Sequence, residues 1–403
     1  MAFLRGWNKC TRKIGGNMRA SSASPDLTID LATRVVGPSE DIHIIQPGQE
    51  YWLYDRFKAS KKVFLDFPGL ELDFSKPPPA DHILKRMVAR SIALQEWYVN
   101  DQTGPRPSDK LDDYVGREGR RRLGRYVGAI KRVYWDLKPG AIVVVPGPHY
   151  SDDVLIGELV GAPIMYKNRS LYDEEIIPVR RVEWRRRKPR SAFKLEVRDK
   201  FGKPNPVTQL DRSLRVEILR AGFDQFVIDD EISVRLNTTK DDFNTLDDYN
   251  IQTFVNYVAG VLLAADLGYD KEIGFNDAIG LLRQHPDMIP ELKLNINSIG
   301  FQRIVSHNVK PLVIAALLSA ALAVAAPGSA SPAYAAPVST HVVNTAAPKN
   351  DDCTVQVSAR VAVAMKLMKL DEWKRVCENA REASASTGLS TTMKVRQRKK
   401  AKP

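Results

Sequence analysis

The sequence predicts an α+β chain: a small antiparallel β-barrel interrupted by a helical insertion, then a largely helical domain, then one hydrophobic helix of membrane-spanning character. Three observations carry this. Short β-branched runs recur between Gly and Pro residues from Tyr134 to Arg187, at the spacing of small sandwiches and barrels. Helical spacing of apolar residues prevails from Leu210 to about Asn308. Pro311–Ala326 is apolar apart from one serine, and no charged residue follows until Lys349.

Taken in order, residues 1–38 are basic and then Ser/Ala-rich without sustained periodicity, which predicts a flexible arm. Asp41–Gly48 reads as a first strand with its turn, and Lys62–Phe67 as a second. Pro77-Pro78-Pro79 marks a boundary, after which Ile83, Met87, Leu94 and Tyr98 give Ala80–Val99 an inward helical stripe. A second helix is expected over 109–130, carrying Arg117, Arg120, Arg121, Arg122 and Arg125. Pro139-Gly140 opens the strand Ile142–Val145, and Val154–Val160 forms another that Gly161 ends. Val179–Trp184 forms a third, with Val182 and Trp184 apolar among charged neighbours. Ser191–Arg198 alternates and would finish the barrel, so the first domain covers 39–199.

A turn-rich linker leads to a mainly helical domain over 207–308. Within it Thr245 is the N-cap of a helix whose first turn carries Asp247 and Asp248, complementing the helix dipole, and which stops at Gly268. For the hydrophobic segment, 309–330, three readings stand: a transmembrane helix, a displaced signal-like segment followed by Ala333-Tyr334-Ala335, and a buried Ala-rich core helix. Its apolar run is close to the length that crosses a bilayer, and the crossing is the preferred reading. Residues 331–403 read as a linker, a helix from Val357 to Ala383 and a basic tail.

The chain has 403 residues, with Lys and Arg exceeding Asp and Glu by 60 to 48 for a net charge of +12. That balance favours anionic partners, nucleic acid or an anionic membrane face. Phosphate-cradling and dinucleotide-binding glycine loops are absent from the sequence, as is a nucleophile elbow. The six histidines are scattered, and Cys10, Cys353 and Cys377 lack metal-ligand spacing. A Cys353–Cys377 disulfide would require an oxidising compartment. Glu291-Leu292-Lys293 matches a nuclease-type triplet in apparently helical surroundings. With Asp270 or Asp277 as the upstream carboxylate that triplet would make a metal-dependent nuclease, the minor reading; no catalytic residue, metal set or cofactor is assigned.

The order Pro139-Gly140-Ala141-Ile142-Val143-Val144-Val145-Pro146, then Ile156-Gly157-Glu158-Leu159-Val160-Gly161, then Arg181-Val182-Glu183-Trp184 resembles the PUA/EVE-like β-barrel modules that accompany Mrr-type and McrB-type restriction and defence proteins. The likeness covers about residues 40–195. The Gly-Trp that often lines the pocket of such modules does not occur within residues 40–195, its equivalent region being Val63–Gly69. The resemblance implies recognition of an extruded, often modified, base. Trp135, Tyr150, Tyr166, Tyr172 and Trp184 would then be the aromatic platform or cage, and Arg180, Arg181, Arg185, Arg186 and Arg187 the phosphate contacts. The expected function is a membrane-tethered sensor of nucleic acid or a nucleotide-like ligand, of the kind used in bacterial antiviral defence. It would sit at the bacterial inner membrane through residues 311–326, with its N-terminal domains in the cytoplasm. The alternatives are a soluble, cytoplasmic modified-DNA-binding protein of restriction type and a non-enzymatic membrane-associated adaptor.

Overall fold

Four consecutive β-branched residues, Ile142–Val145, decide the architecture of the first unit. In the computed structural model all four are fully buried, and they alternate between two hydrophobic clusters: Ile142 and Val144 lie in one, Val143 and Val145 in the other. A strand apolar on both faces belongs to a sheet covered on both faces. The structure describes residues 26–117, 121–167, 171–173, 175–240, 245–295, 300–324, 339–346 and 351–397. The chain divides into two units, Thr33–Val234 and, discontinuously, Met1–Ala32 with Arg235–Pro403.

Strand β1 (Asp26–Asp30) belongs to the second unit, and the first begins with β2 (Arg34–Val36) and β3 (His43–Ile45). There follow α1 (Tyr54–Ser60), β4 (Lys62–Val63), α2 (Asp81–Val99), α3 (Arg121–Lys131), β5 (Ile142–Val145), β6 (Asp153–Lys167), β7 (Ile176–Pro189), α4 (Leu195–Phe201), β8 (Val207–Gln209), α5 (Arg215–Gly222) and β9 (Gln225–Ile228). Six strands form one sheet in the order β4-β7-β6-β5-β3-β8. β3 and β5 run parallel, with His43 opposite Val143, while the other pairs are antiparallel.

The expected closed antiparallel barrel is therefore corrected to an open, mixed sheet whose edge strands β4 and β8 do not pair with each other. One face packs on Leu53, Tyr54 and Phe57, at and just before α1, and the other on Val197 and Phe201 of α4 with Ile218 and Leu219 of α5. Both helices of the insertion form, but the second begins at Arg121 and not near 109, and α2 buries Leu84 and Val88 where Ile83 and Met87 were expected, along with the expected Leu94. Leu84 and Val88 of α2 and Val127 and Ile130 of α3 build a third cluster with Leu65, Phe67 and Tyr134. Two strands outrun their expected limits. β6 continues through Gly161, whose φ of 68° places a bulge between Val160 and Ile164 that a side chain would strain. Ser191–Arg198 does not close a barrel, because Phe193, Val197 and Phe201 recur every four residues and bury the face of a helix.

The second unit receives the chain along β10 (Glu231–Asn237), which follows β9 through the two-residue turn Asp229-Asp230, with φ of 49° at Asp229. It continues with α6 (Thr245–Asp266), α7 (Phe275–Gln284), the antiparallel hairpin β11 (Glu291–Asn295) and β12 (Phe301–Ser306), and α8 (Lys310–Val324). β13 (Ser339–Val343), α9 (Asp352–Leu367), α10 (Leu370–Thr387) and β14 (Lys394–Gln397) complete it. β1, expected in a flexible arm, is the middle strand of a three-stranded sheet, parallel to β13 and antiparallel to β14. The single helix expected over Val357–Ala383 is two, because the extended Met368 bridges to Ile273 and interrupts the helical ladder.

The hydrophobic segment is also corrected. Leu312–Ala321 of α8 is buried on every side, and α6, α9 and α10 pack against the helix. Its 15 residues span about 22 Å, short of the roughly 30 Å of a bilayer core. Ser319 donates to the Ala315 carbonyl at 2.6 Å, and Lys310, 1% exposed, places its ammonium 3.6 Å from the Asp266 carboxylate. Among the described residues no helix is long and apolar enough to cross a membrane; residues 325–338 lie outside them. The thiols of Cys353 and Cys377 are free, and burial pushes them up to about 11 and about 12; Cys10 is outside the described residues.

Candidate ligand-binding site

The run Val63-Phe64-Leu65 enters the core as β4 ends, and Asp66 follows it between the buried Leu65 and Phe67. Its carboxylate is half-buried and takes three hydrogen bonds, all from uncharged groups. The Tyr172 hydroxyl donates to Oδ1 at 2.7 Å, and Trp52 Nε1 and Gln95 Nε2 donate to Oδ2 at 2.9 and 2.5 Å. Burial pushes this carboxyl above the ordinary carboxylate range, the three bonds offsetting part of the rise. Burial beside Asp66 likewise raises the Tyr172 phenol.

The donors come from three separate elements. Trp52 leaves the loop before α1, where Gly48 adopts a φ of 79° and a Cβ there would lie 2.6 Å from Trp52 Nε1. The indole rests on that glycine. Gln95 stands on the last turns of α2, and Tyr172, with φ of 58°, lies in the connection between β6 and β7. Tyr98 joins from α2. Its ring centroid is 5.2 Å from that of Tyr172, and Trp52 meets Tyr172 edge-on at 5.9 Å and 81°. The polar edges of two rings are thus fixed by one carboxylate, while Trp52 stays 41% exposed. Rings held this way suit stacking of a flat ligand, and Oδ1, which accepts from the Tyr172 hydroxyl, retains capacity to accept another hydrogen bond.

Of the aromatic residues singled out from sequence, Tyr172 belongs to this cluster. Trp135 donates to the Lys76 carbonyl at 3.0 Å and meets Phe74 edge-on in the insertion. Trp184 donates to the Phe57 carbonyl at 3.0 Å and packs on the α1-side core. Tyr150 is 60% exposed with the Arg198 guanidinium 5.1 Å from its ring, and Tyr166 carries the Lys62 ammonium 3.7 Å from its ring. Sequence reasoning passed over Trp52, Asp66 and Gln95 and read Tyr98 only as part of the inward stripe of α2. The available signal was an acidic residue inside the apolar run Val63–Gly69, the region already matched to the missing Gly-Trp.

The arginines of β7 divide by partner. Arg180 is 1% exposed and donates from Nη1 to the carbonyls of Val133 and Leu137 and from Nη2 to that of Gly161 at 3.3 Å; burial lowers its pKa. It tethers the insertion to the sheet. Arg185 binds Glu158 at 2.6 Å and Glu183 at 3.0 Å, and Arg186 binds Asp224 at 2.6 Å. Arg181 and Arg187 are exposed. Glu158, 8% exposed, also binds Arg34 at 2.6 Å, and Arg34 continues to Glu40. In the second unit, Glu291 and Lys293 fall on strand β11 and pair with each other at 3.3 Å.

Comparisons of the chain with protein-family models, with curated proteins and with solved structures match it to none of them.

Proposed function

We propose that the unit Thr33–Val234 binds a nucleobase-bearing ligand, nucleic acid or a nucleotide, by stacking on the aromatic cluster held by Asp66. The observation that carries this is the shared carboxylate: Asp66 fixes the indole of Trp52 and the phenol of Tyr172 at once and leaves the indole open to solvent. Every base has a π-face, so such a platform gives affinity for bases in general, and a carboxylate oxygen favours an edge that offers an amino group. The net charge of +12 supports an anionic partner. The membrane tether of the sequence expectation drops out with the burial of α8. What remains is the nucleic-acid reading.

The test is fluorescence-anisotropy titration of the full chain with single-stranded DNA and RNA oligonucleotides across a salt series. Affinity should fall steeply with salt, and Trp52→Ala should weaken binding by about tenfold or more, the value of one base–aromatic stack. Binding that ignores both salt and Trp52 would defeat the proposal.

A further inference from the structure

We propose that Lys62 and Arg181 form an anion subsite that takes a phosphate group beside the Gly161 bulge, making the ligand of this unit a nucleoside phosphate or a phosphodiester. The inference rests on the base-stacking reading and adds a second, separate contact to it.

Lys62 and Arg181 are directly opposite each other in the antiparallel pairing of β4 and β7. Like charges in that position repel. Farther along β7 carboxylates meet two of the arginines, Glu158 and Glu183 binding Arg185 and Asp224 binding Arg186. Lys62 and Arg181 make no ion pair among the described residues. The Lys62 ammonium lies on the ring of Tyr166 at 3.7 Å, a contact that orients the charge without neutralising it. Arg181 is exposed and folds back over the bulge, so that a Cβ at Gly161 would come within 3.1 Å of its Nη2. From the neighbouring position the buried Arg180 reaches the carbonyl of the same glycine, its charge met by carbonyl oxygens alone and its Nε without a partner.

Arg180 and Arg181 therefore meet at Gly161 with Lys62 opposite Arg181, and among the described residues no carboxylate forms an ion pair with any of the three. A phosphate oxygen would remove the repulsion and accept charge-assisted hydrogen bonds. Position along the chain fits the stacking site. Lys62 precedes Asp66 by four residues, at most about 14 Å of extended chain, and Tyr166, near the end of β6, precedes Tyr172 of the β6–β7 connection by six residues.

The experiment titrates the full chain with cytidine and with cytidine 5′-monophosphate, then repeats both in Arg181→Ala, Lys62→Met and the control Arg187→Ala, an exposed arginine farther along β7. The monophosphate should bind about tenfold tighter than the nucleoside. Arg181→Ala and Lys62→Met should each remove most of that advantage while leaving cytidine binding and the control unchanged, and inorganic phosphate should compete with the monophosphate alone. An advantage that survives both variants, or that Arg187→Ala lowers equally, overturns the subsite in favour of a merely solvated or diffuse positive face. If neither compound binds, the stacking reading fails, and the subsite is judged separately. Inorganic phosphate should then still shift the Arg181 Nε–Hε resonance of the wild-type chain and not that of Lys62→Met; an unmoved resonance overturns it.

Discussion

Two carboxylates on the same sheet unit are held in opposite ways. Glu158 is 8% exposed and is bound by two arginines, Arg34 and Arg185, each at 2.6 Å. Asp66 is half-buried and bound by a phenol, an indole and an amide. The first arrangement neutralises charge and ties β2 to β6 and β7, which is structural work. The second leaves the negative charge uncompensated in order to orient aromatic rings, a cost that a binding site offsets when a ligand arrives. The contrast separates scaffold from site without any homologue.

The largest test of it is Glu158→Ala. Removing the acid leaves Arg34 with Glu40 and the 41%-exposed Arg185 with Glu183, so the loss is that of two charge-assisted hydrogen bonds, about 3 kcal/mol. The midpoint of urea unfolding should fall accordingly while oligonucleotide affinity per folded molecule is kept. Asp66→Ala should show the reverse pattern: about 2 kcal/mol of stability, because its donors are neutral and water reaches Trp52, together with loss of stacking affinity. Equal effects of the two substitutions on both readouts would erase the distinction.

The sequence made the scaffold more legible than the site, and the reason is physical. Strands β5, β6 and β7, helix α2 and the start of α6 follow from local signals: β-branched runs, Gly and Pro punctuation, a 3.6-residue stripe and acidic residues in a first turn. The barrel did not follow. Short strands separated by turns look alike in open and closed sheets, and only the alternation of Ile142–Val145 between two cores shows that both faces are covered. The burial of α8 was equally hidden. An apolar run is the same whether lipid or protein surrounds it, and what surrounds it here includes α9 and α10, which follow it in the chain. The site unites Trp52, Asp66, Gln95 and Tyr172 across more than a hundred residues, so no local pattern announces it. Tyr172 was reached by its residue type, and Arg180, chosen as a phosphate contact, turned out to be a buried strut.

A smaller effect sharpens the comparison from the side of the ligand. Tyr172→Phe removes one hydrogen bond to Asp66 and keeps the ring, which should cost about 1 kcal/mol in thermal or urea unfolding. Binding should weaken only to the extent that the ring loses its fixed orientation, measured against Trp52→Ala as the full loss of a stack. An affinity loss in Tyr172→Phe equal to that of Trp52→Ala would mean that the hydroxyl itself meets the ligand.

The smallest effect is a pH dependence, and its sign is fixed by the direction of the Asp66 shift. Burial holds this carboxyl above the ordinary Asp value of 3.8. A raised acid favours folding while it is protonated, so its contribution is fully present below pH 3.8 and is lost as pH rises through the folded value. Glu40, also raised by burial against the pull of Arg34, acts in the same direction. Asp81, which the Lys131 ammonium holds below the ordinary value, acts in the opposite one, losing its contribution as pH falls. The total profile therefore mixes signs, and the useful quantity is the difference between the wild type and Asp66→Asn, in which Glu40 and Asp81 cancel. That difference should decline as pH is raised above 3.8 and level off once pH has passed the raised folded value. A flat difference would mean that Asp66 ionises as freely in the folded chain as in the unfolded one, and the uncompensated charge that sets it apart from Glu158 would be gone.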